Sequence, residues 1–141
     1  MDIRPLTPDY AVSPQIEPDD FAAIAAAGFT TVIDNRPCEE IPPSHHAPVM
    51  RERAEAAGLE FVVLPLTHAT INADTATQQK AALEAASGPV LAYCASGTRC
   101  TIIWALGKAG DMPAEDIIAT AATHGYDIAA MRPQLDALSG D

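Results

Sequence analysis

The sequence predicts a three-layer α/β fold, with a mainly parallel central sheet of about four to five strands and helices on both faces. Short apolar or β-branched runs alternate with alanine-rich stretches of helical length over all 141 residues. Strands that alternate with helices in this way form βαβ units with parallel strands. The runs VVL and PVLAY are almost continuously apolar, as in strands covered on both faces. We expect one domain over residues 1–141.

The first predicted elements are a short strand at 10–12 and a helix from residue 18 to about residue 27. Pro18 suits the first turn of a helix, and the two aspartates after it face the positive end of the helix dipole. Gly28 ends this helix. The β-branched run at 29–34 then predicts a buried strand.

The rest of the chain repeats this alternation. A glycine follows the predicted helix at 48–57, and Asn72 or Asp74 is the expected cap of the helix at 72–86. The predicted strands are 60–66 and the central strand 90–93; the remaining helices are 98–109, 113–123 and a short one between 127 and 138.

Composition excludes several classes of protein. The net charge of −11, from 8 basic and 19 acidic residues, argues against a nucleic-acid or anionic-membrane partner. The longest apolar runs are too short to span a bilayer, and the N-terminus lacks the pattern of a signal peptide. We expect a cytoplasmic protein. The three cysteines and four histidines show neither disulfide-framework nor zinc-site spacing, so we expect no metal and no cofactor.

The stretch VLAYCASGTRC carries the candidate chemistry. Cys94 follows the most buried predicted strand, at the end where such sheets bind ligands. The next helix begins near Thr98, and its N-terminus should lower the pKa of the Cys94 thiol and make it a nucleophilic thiolate. Arg99 offers a charged fork for oxyanions. The residues whose N–H groups can surround an anion are Ala95, Ser96, Gly97 and Thr98. The alternative is an inert buried cysteine.

The motif C-x-x-G-x-R, from Cys94 to Arg99, resembles the active-site loop of rhodanese sulfurtransferases. It also resembles the C-x-x-G-x-x-R loop of cysteine phosphatases, with one residue fewer. With VSPQIEPDDFAAIAAAGFTTVIDNRP, AAGLEFVVLPL and GYDIAAMRPQL, it resembles a bacterial phosphatase-like family formerly of unknown function. That family is now often called a sulfur transferase family, and its members occur fused to β-lactamase-like persulfide dioxygenase domains. The resemblance implies a phosphatase-like fold with a rhodanese-length loop, and a persulfide dioxygenase as a partner.

We therefore expect a sulfurtransferase-like enzyme that moves sulfane sulfur from thiosulfate or a persulfide donor to a thiol acceptor through a Cys94 persulfide. The short loop suits a terminal sulfur, and sulfur transfer between thiols needs no general acid. The loop after the strand at 60–66 has no carboxylate before Asp74, which leaves His68 as a substitute acid. The alternatives are a cysteine-dependent phosphatase and a non-catalytic module that binds an anion or a partner.

Four positions in or near the loop also bear on the candidate site. Ala95 stands where the family often has a basic residue, and Cys100 stands where it usually has serine. Cys100 is then a resolving thiol or a packed residue of the first helical turn. Asp34 and Arg36 end a neighbouring strand and can line the same edge as Cys94. For Arg36, a structural salt bridge to one of the two glutamates at 39 and 40 is the other interpretation.

Overall fold

Among the residues that the structure describes, five strands form one sheet in the order β1-β2-β5-β3-β4. The structure, a computed structural model, describes residues 1–139. β1 pairs antiparallel with β2, and the other three pairings are parallel, which confirms the predicted α/β class. The strands are β1 (Arg4–Thr7), β2 (Tyr10–Ser13), β3 (Thr31–Asp34), β4 (Glu60–Val63) and β5 (Val90–Tyr93).

In the described part of the chain, six α-helices connect and cover these strands, and short 3₁₀ turns precede several of them. The predicted helices are all present, with ends that differ by a few residues; the one expected from residue 18 begins with a 3₁₀ turn at Pro18–Asp20. No helix within residues 1–139 is long and apolar enough to cross a membrane. The helices are α1 (Phe21–Ala26), α2 (Ala47–Ala56), α3 (Ala73–Ala85), α4 (Thr98–Lys108), α5 (Ala114–Thr123) and α6 (Arg132–Ser139).

The two faces of the sheet have separate apolar cores. Alternate residues of a strand point to opposite faces, so β5 divides its side chains between the two cores. Leu91 and Tyr93 pack with α1 and α2, whereas Val90, Ala92 and Cys94 pack with residues of α3, α4, α5 and α6. This alternation places the candidate nucleophile on the α3–α6 side of the sheet.

The sequence analysis missed one strand and lengthened another. β1 contains Pro5, which argues against a central strand but is tolerated at a sheet edge. β4 ends at Val63 rather than at residue 66 and forms the other edge, where Val63 is exposed. Phe61 nevertheless packs in the α1–α2 core and Val62 against the α3–α6 core, so this edge strand contacts both layers, as its apolar run predicts, although less completely than β5.

A buried polar network ties α3 and β2 to the start of α4. The Gln79 and Asn35 side-chain amides donate to each other's carbonyl oxygens, both at 2.9 Å. Gln79 Nε2 also donates to the Tyr10 hydroxyl at 3.3 Å, which in turn donates to the Cys100 carbonyl at 2.8 Å. Because buried amides are stable only when paired, this chain of bonds fixes the relative positions of these elements.

Replacement of Gln79 by alanine should destabilise the fold. It leaves the Asn35 amide without its buried partner, so we expect a loss of about 1–3 kcal/mol in the free energy of unfolding, measured by urea titration. The matched control is Gln78→Ala in the same helix, an exposed position that should change stability by less than about 0.5 kcal/mol. Equal losses in the two variants would contradict a structural role for the network.

Candidate active site

The loop from Cys94 to Arg99 joins the buried end of β5 to α4. Two backbone bonds dock it on the segment after β2: the Cys94 N–H donates to the Ser13 carbonyl at 3.4 Å, and the Gln15 N–H donates to the Ala95 carbonyl at 3.3 Å. Cys94 itself is buried, while Ala95 and Ser96 are exposed. The loop therefore has an exposed rim around a sheltered sulfur.

Gly97 is required where this loop turns into α4. It is the N-cap of the helix with φ of 91°, a conformation that side chains rarely adopt. A Cβ atom at this position would lie 2.2 Å from the Tyr126 hydroxyl, which donates to the Ser96 carbonyl at 2.9 Å. Tyr126 thus closes over the loop from the far end of the chain and leaves no room for a side chain at Gly97.

The Cys94 sulfur is a thiolate at neutral pH. Its pKa is lowered to about 5, chiefly by a hydrogen bond from the Cys100 thiol and also by backbone N–H groups of Cys100, Gly97 and Ser96. The Gly97 N–H lies 3.1 Å from Sγ. Burial acts in the opposite direction, so these donors overcome the cost of removing the charge from water. The predicted nucleophilic form is therefore supported by the geometry of the loop.

Cys100 has the opposite ionisation state. It is fully buried, and this burial raises its pKa well above the ordinary value; the neighbouring Cys94 charge acts in the same direction. The Cys100 side chain is therefore a protonated thiol that faces a thiolate.

Arg99 is held by Glu40, a residue of the 3₁₀ turn at Cys38–Glu40. Its Nη1 donates to Glu40 Oε2 at 2.8 Å and to the Leu66 carbonyl at 2.7 Å, and its Nη2 donates to Glu40 Oε1 at 2.8 Å. Five N–H groups are present in a guanidinium. The Nε–H and one Nη2–H, on the other edge of the group, make no hydrogen bond to a carbonyl or carboxylate of residues 1–139, and Arg99 also interacts with the Cys94 thiolate, so this edge can face an anion in the loop.

Asp34 is the last residue of β3 and Arg36 follows shortly after it. Neither residue has the same role as Arg99. Arg36 pairs with Glu40 at 3.3 Å and donates to Gln15 at 3.1 Å, so it is the structural ion pair considered in the sequence analysis and touches the site through Glu40. Asp34 aligns with Tyr93 of β5 and points to the α1–α2 face, away from Cys94. Asp34 therefore ends at the same sheet edge as Cys94, as expected, but its side chain lies on the opposite face, and its accessory role stays a prediction.

Asp34 is also poorly solvated. Burial raises the pKa of its carboxyl from 3.8 to about 6, although the Arg36 N–H donates to Oδ1 at 2.9 Å. Within residues 1–139, neither Asp34 Oδ2 nor the facing Tyr93 hydroxyl has a hydrogen-bond partner of good geometry. This buried acid holds a proton that an exposed aspartate would lose.

The β4–α3 loop contains no carboxylate. His68 is exposed there and makes no side-chain hydrogen bond within the described part of the chain. Asn72 caps α3 by accepting from the Thr75 N–H at 3.0 Å, and Asp74 lies in the first helical turn. The β4–α3 loop therefore supplies no carboxylic acid to the site, and its exposed His68 stays a predicted substitute.

Two residues that position the loop, Glu40 and Tyr126, were not predicted in these roles from the sequence. Glu40 is considered in the sequence analysis only as a partner of Arg36, and Tyr126 is given no role, because neither lies near the loop in sequence. Among residues 1–139, no three histidine, cysteine or acidic side chains are grouped to hold a metal ion. A pocket between α3 and α4, lined in part by Gln79 and Trp104, has no residue of the loop in its lining.

Sequence comparison identifies relatives of the chain. The model of the family described as β-lactamase hydrolase-like protein, phosphatase-like domain, matches residues 2–111. A β-lactamase hydrolase-like protein of Agrobacterium fabrum is 38% identical over 115 residues, which are 79% of this chain and 26% of that protein. The chain spans only 26% to 30% of the length of the curated relatives that it matches.

Solved structures show the same fold. A candidate phosphatase of Neisseria meningitidis superposes with a TM-score of 0.86 at 32% identity, over 98% of this chain and 99% of that one. Tk-PTP in its active form superposes with a TM-score of 0.71 at 14% identity, over 99% of this chain and 97% of that one. The likeness confirms the expected cysteine-phosphatase-like fold, and at this low identity Tk-PTP carries no more than that.

The Cys94 thiol should ionise with a midpoint of about pH 5. The rate of alkylation by iodoacetamide, measured against pH in a Cys38→Ser background, should reach its plateau below neutral pH because the thiolate is the reacting form. Cys100→Ala removes the main donor and should raise the midpoint, whereas Cys100→Ser retains a donor and should raise it less. A midpoint near about 8.5, the value of a free cysteine, would contradict the thiolate assignment.

Stability should fall as pH rises through the titration of Asp34. The folded-state pKa of about 6 lies above the reference value of 3.8, so the stabilisation is complete at low pH and is lost above about pH 6. Asp34→Asn keeps the acceptor for Arg36 and should be the more stable protein at pH 8, by about 2–3 kcal/mol in urea unfolding. The exposed control Asp111→Asn should show no such gain. An Asp34→Asn protein less stable than wild type at pH 8 would refute this account.

Proposed function

Because the chain belongs to the family of β-lactamase hydrolase-like protein, phosphatase-like domains, we propose that it is a cysteine-dependent phosphatase that acts on small phosphoesters. The observation that carries this proposal is the Cys94 thiolate, surrounded by loop N–H groups at the start of α4 and paired with the oriented guanidinium of Arg99. This arrangement offers both parts of phosphoryl transfer, a nucleophile and donors for the charged oxygens.

In the proposed reaction, Cys94 Sγ attacks phosphorus and forms an S–P bond while the bond from phosphorus to the ester oxygen breaks. The loop N–H groups and the free edge of Arg99 stabilise the non-bridging oxygens as charge develops. Water then attacks the phosphocysteine and releases phosphate and the thiolate. Cys100 donates a hydrogen bond to Cys94 Sγ, which makes sulfur a better leaving group in this second step.

The leaving group sets the substrate class. A carboxylic acid that protonates the departing oxygen is missing from the β4–α3 loop, and His68 is exposed to solvent. Without a positioned acid, an alcohol of high pKa leaves slowly, whereas a phenol or another acidic alcohol leaves as its anion. We therefore expect aryl phosphates to be hydrolysed faster than alkyl phosphates.

Sulfur transfer is the second candidate, and two observations favour it. Six residues run from Cys94 to Arg99, one fewer than in the phosphatase pattern, and the β4–α3 loop supplies no carboxylic acid. In this reaction Cys94 attacks the outer sulfur of thiosulfate, an S–S bond forms, and sulfite leaves as the old S–S bond breaks. A thiol acceptor then removes the sulfur; a persulfide dioxygenase is a partner of matching chemistry. The comparisons favour the phosphatase over this candidate.

One pair of assays separates the two. With p-nitrophenyl phosphate, the wild type should release phosphate and Cys94→Ser should release none above background. Arg99→Lys loses the fork and should lower kcat/KM by about 100- to 1,000-fold. The matched control Arg132→Lys alters an exposed arginine that pairs with Asp136, and it should be unchanged.

The wild type and Cys94→Ser are then incubated with thiosulfate, and the mass of each intact protein is measured by mass spectrometry. A gain of about 32 Da on the wild type that dithiothreitol removes, with no gain on Cys94→Ser, identifies a persulfide, because a sulfinic acid of the same mass is not reversed by a thiol. That gain without phosphate release would overturn the phosphatase proposal in favour of sulfur transfer. If neither activity is seen and the loop only binds sulfate or vanadate, the chain is an anion-binding module.

A further inference from the structure

A pocket between α3 and α4 lies on the same side of the sheet as Cys94 but is lined by residues outside the active-site loop. Buried side chains line its inner part, and these are Tyr10, Ala76, Gln79, Ile103 and Trp104. Its volume of about 50 Å³ is room for about four water molecules, at about 10–15 Å³ each. The pocket can therefore receive a single ring or a short branched alkyl group.

Gly107 keeps this pocket open on the α4 side. Glycine is a poor residue for a helix, and Gly107 does not have the positive φ that would require one. A Cβ atom here would lie 3.7 Å from both the Ala76 carbonyl oxygen and Lys80 Cβ, which is ordinary contact. The fold therefore accepts a side chain at this position, and a large one would extend towards α3 and fill the pocket.

Both lysines of the chain line this one pocket, although the protein has only 8 basic residues and a net charge of −11. Lys80 Nζ pairs with Asp111 at 2.7 Å. Lys108 makes no salt bridge within the described part of the chain and acts on Asp111 only at longer range. Glu84 also lines the pocket, but it is exposed, and water weakens its field. Lys108 is therefore the charged group that can pair with an anion at the rim.

Trp104 contributes an aromatic wall and a second polar group without a partner. Its Nε1–H is buried and has no acceptor among residues 1–139, whereas buried donors are nearly always paired. Trp104 and Lys108 are four residues apart in α4, so they are neighbours on one face of the helix. One side of the pocket thus combines an apolar ring, an unsatisfied N–H and a partly buried ammonium group.

We propose that the α3–α4 pocket binds a small carboxylate that has an aromatic or branched apolar body. The body packs against Trp104 and Leu83, and the carboxylate accepts a hydrogen bond from Lys108 Nζ at the rim. This site is separate from the proposed phosphatase site, because no residue of the loop from Cys94 to Arg99 lines it.

Phenylacetate is a suitable probe because it has one ring and one carboxylate, and phenylacetamide is its uncharged analogue. Trp104 is the only tryptophan of the chain, so its fluorescence reports on the pocket, and calorimetry gives the affinity. We expect saturable binding of phenylacetate to the wild type with a Kd of about 0.1–1 mM. Phenylacetamide should bind about 3- to 10-fold more weakly, since it lacks the charge that pairs with Lys108.

Three variants locate the ligand by calorimetry. Gly107→Leu fills the pocket and should abolish binding of both compounds. Lys108→Met should weaken phenylacetate to the level of phenylacetamide and leave phenylacetamide unchanged. The matched control Arg53→Met removes one positive charge from α2, on the other side of the sheet, and should change neither affinity. The Lys108→Met comparison decides the question by itself if Gly107→Leu does not fold.

Four results would each overturn the proposal. They are no saturable binding up to about 10 mM, ten times the weakest expected Kd, equal affinity for the two compounds, full binding by a folded Gly107→Leu protein, and displacement of phenylacetate by vanadate at a concentration that saturates the active-site loop. The last result would place the carboxylate in that loop. None of these outcomes depends on whether the chain hydrolyses phosphoesters.

Discussion

A buried negative charge on Cys94 is the constraint on which the rest of the site depends. Removing a thiolate from water is unfavourable, and it persists only where donors surround it. Here the Cys100 thiol and three loop N–H groups lower the pKa to about 5 against the effect of burial. Each donor needs its own support, so the loop is fastened at several points, through Tyr10 at the Cys100 carbonyl and Tyr126 at the Ser96 carbonyl.

Glu40 positions Arg99, the positive side chain through which this strongly negative protein can bind an anion in the loop. The chain carries a net charge of −11 and repels anions at long range, so an anionic substrate must be held by groups inside the loop. Glu40 adds a further negative charge close to Arg99, yet it binds the Nη1–Nη2 edge and leaves the other edge for a ligand. The negative charge of Glu40 weakens the attraction of the site for an anion, but Glu40 fixes the orientation of the Arg99 guanidinium, which can bind an oxyanion.

The sheet places Cys94 on one face and Tyr93, with its aligned neighbour Asp34, on the other. Tyr93 and Cys94 are neighbours, but alternation sends the tyrosine to the α1–α2 face and the cysteine to the α3–α6 face. Asp34 aligns with Tyr93, and its side chain also lies on the α1–α2 face. There its raised pKa affects the stability of the fold and not the nucleophilic attack by Cys94. Two groups with perturbed ionisation therefore lie at the same sheet edge but in different layers. Only Cys94 belongs to the site.

The alternation of apolar strand runs and alanine-rich helical runs along the chain was sufficient to predict the α/β fold. The local pattern around Cys94 predicted the buried strand at Val90–Tyr93 and the loop that begins α4, because strand burial, Gly97 and a helix start are all encoded within a dozen residues. The edge strand β1 was not predictable in this way, since Pro5 obscures it and only pairing with β2 stabilises it. Tertiary structure alone decided which face each side chain occupies and which distant groups reach the loop. Glu40 and Tyr126 come from other elements, and the Cys100 thiol becomes the main donor to Cys94 only when the loop folds back on itself. These contacts depend on the packing of separate segments, which no spacing within the sequence records.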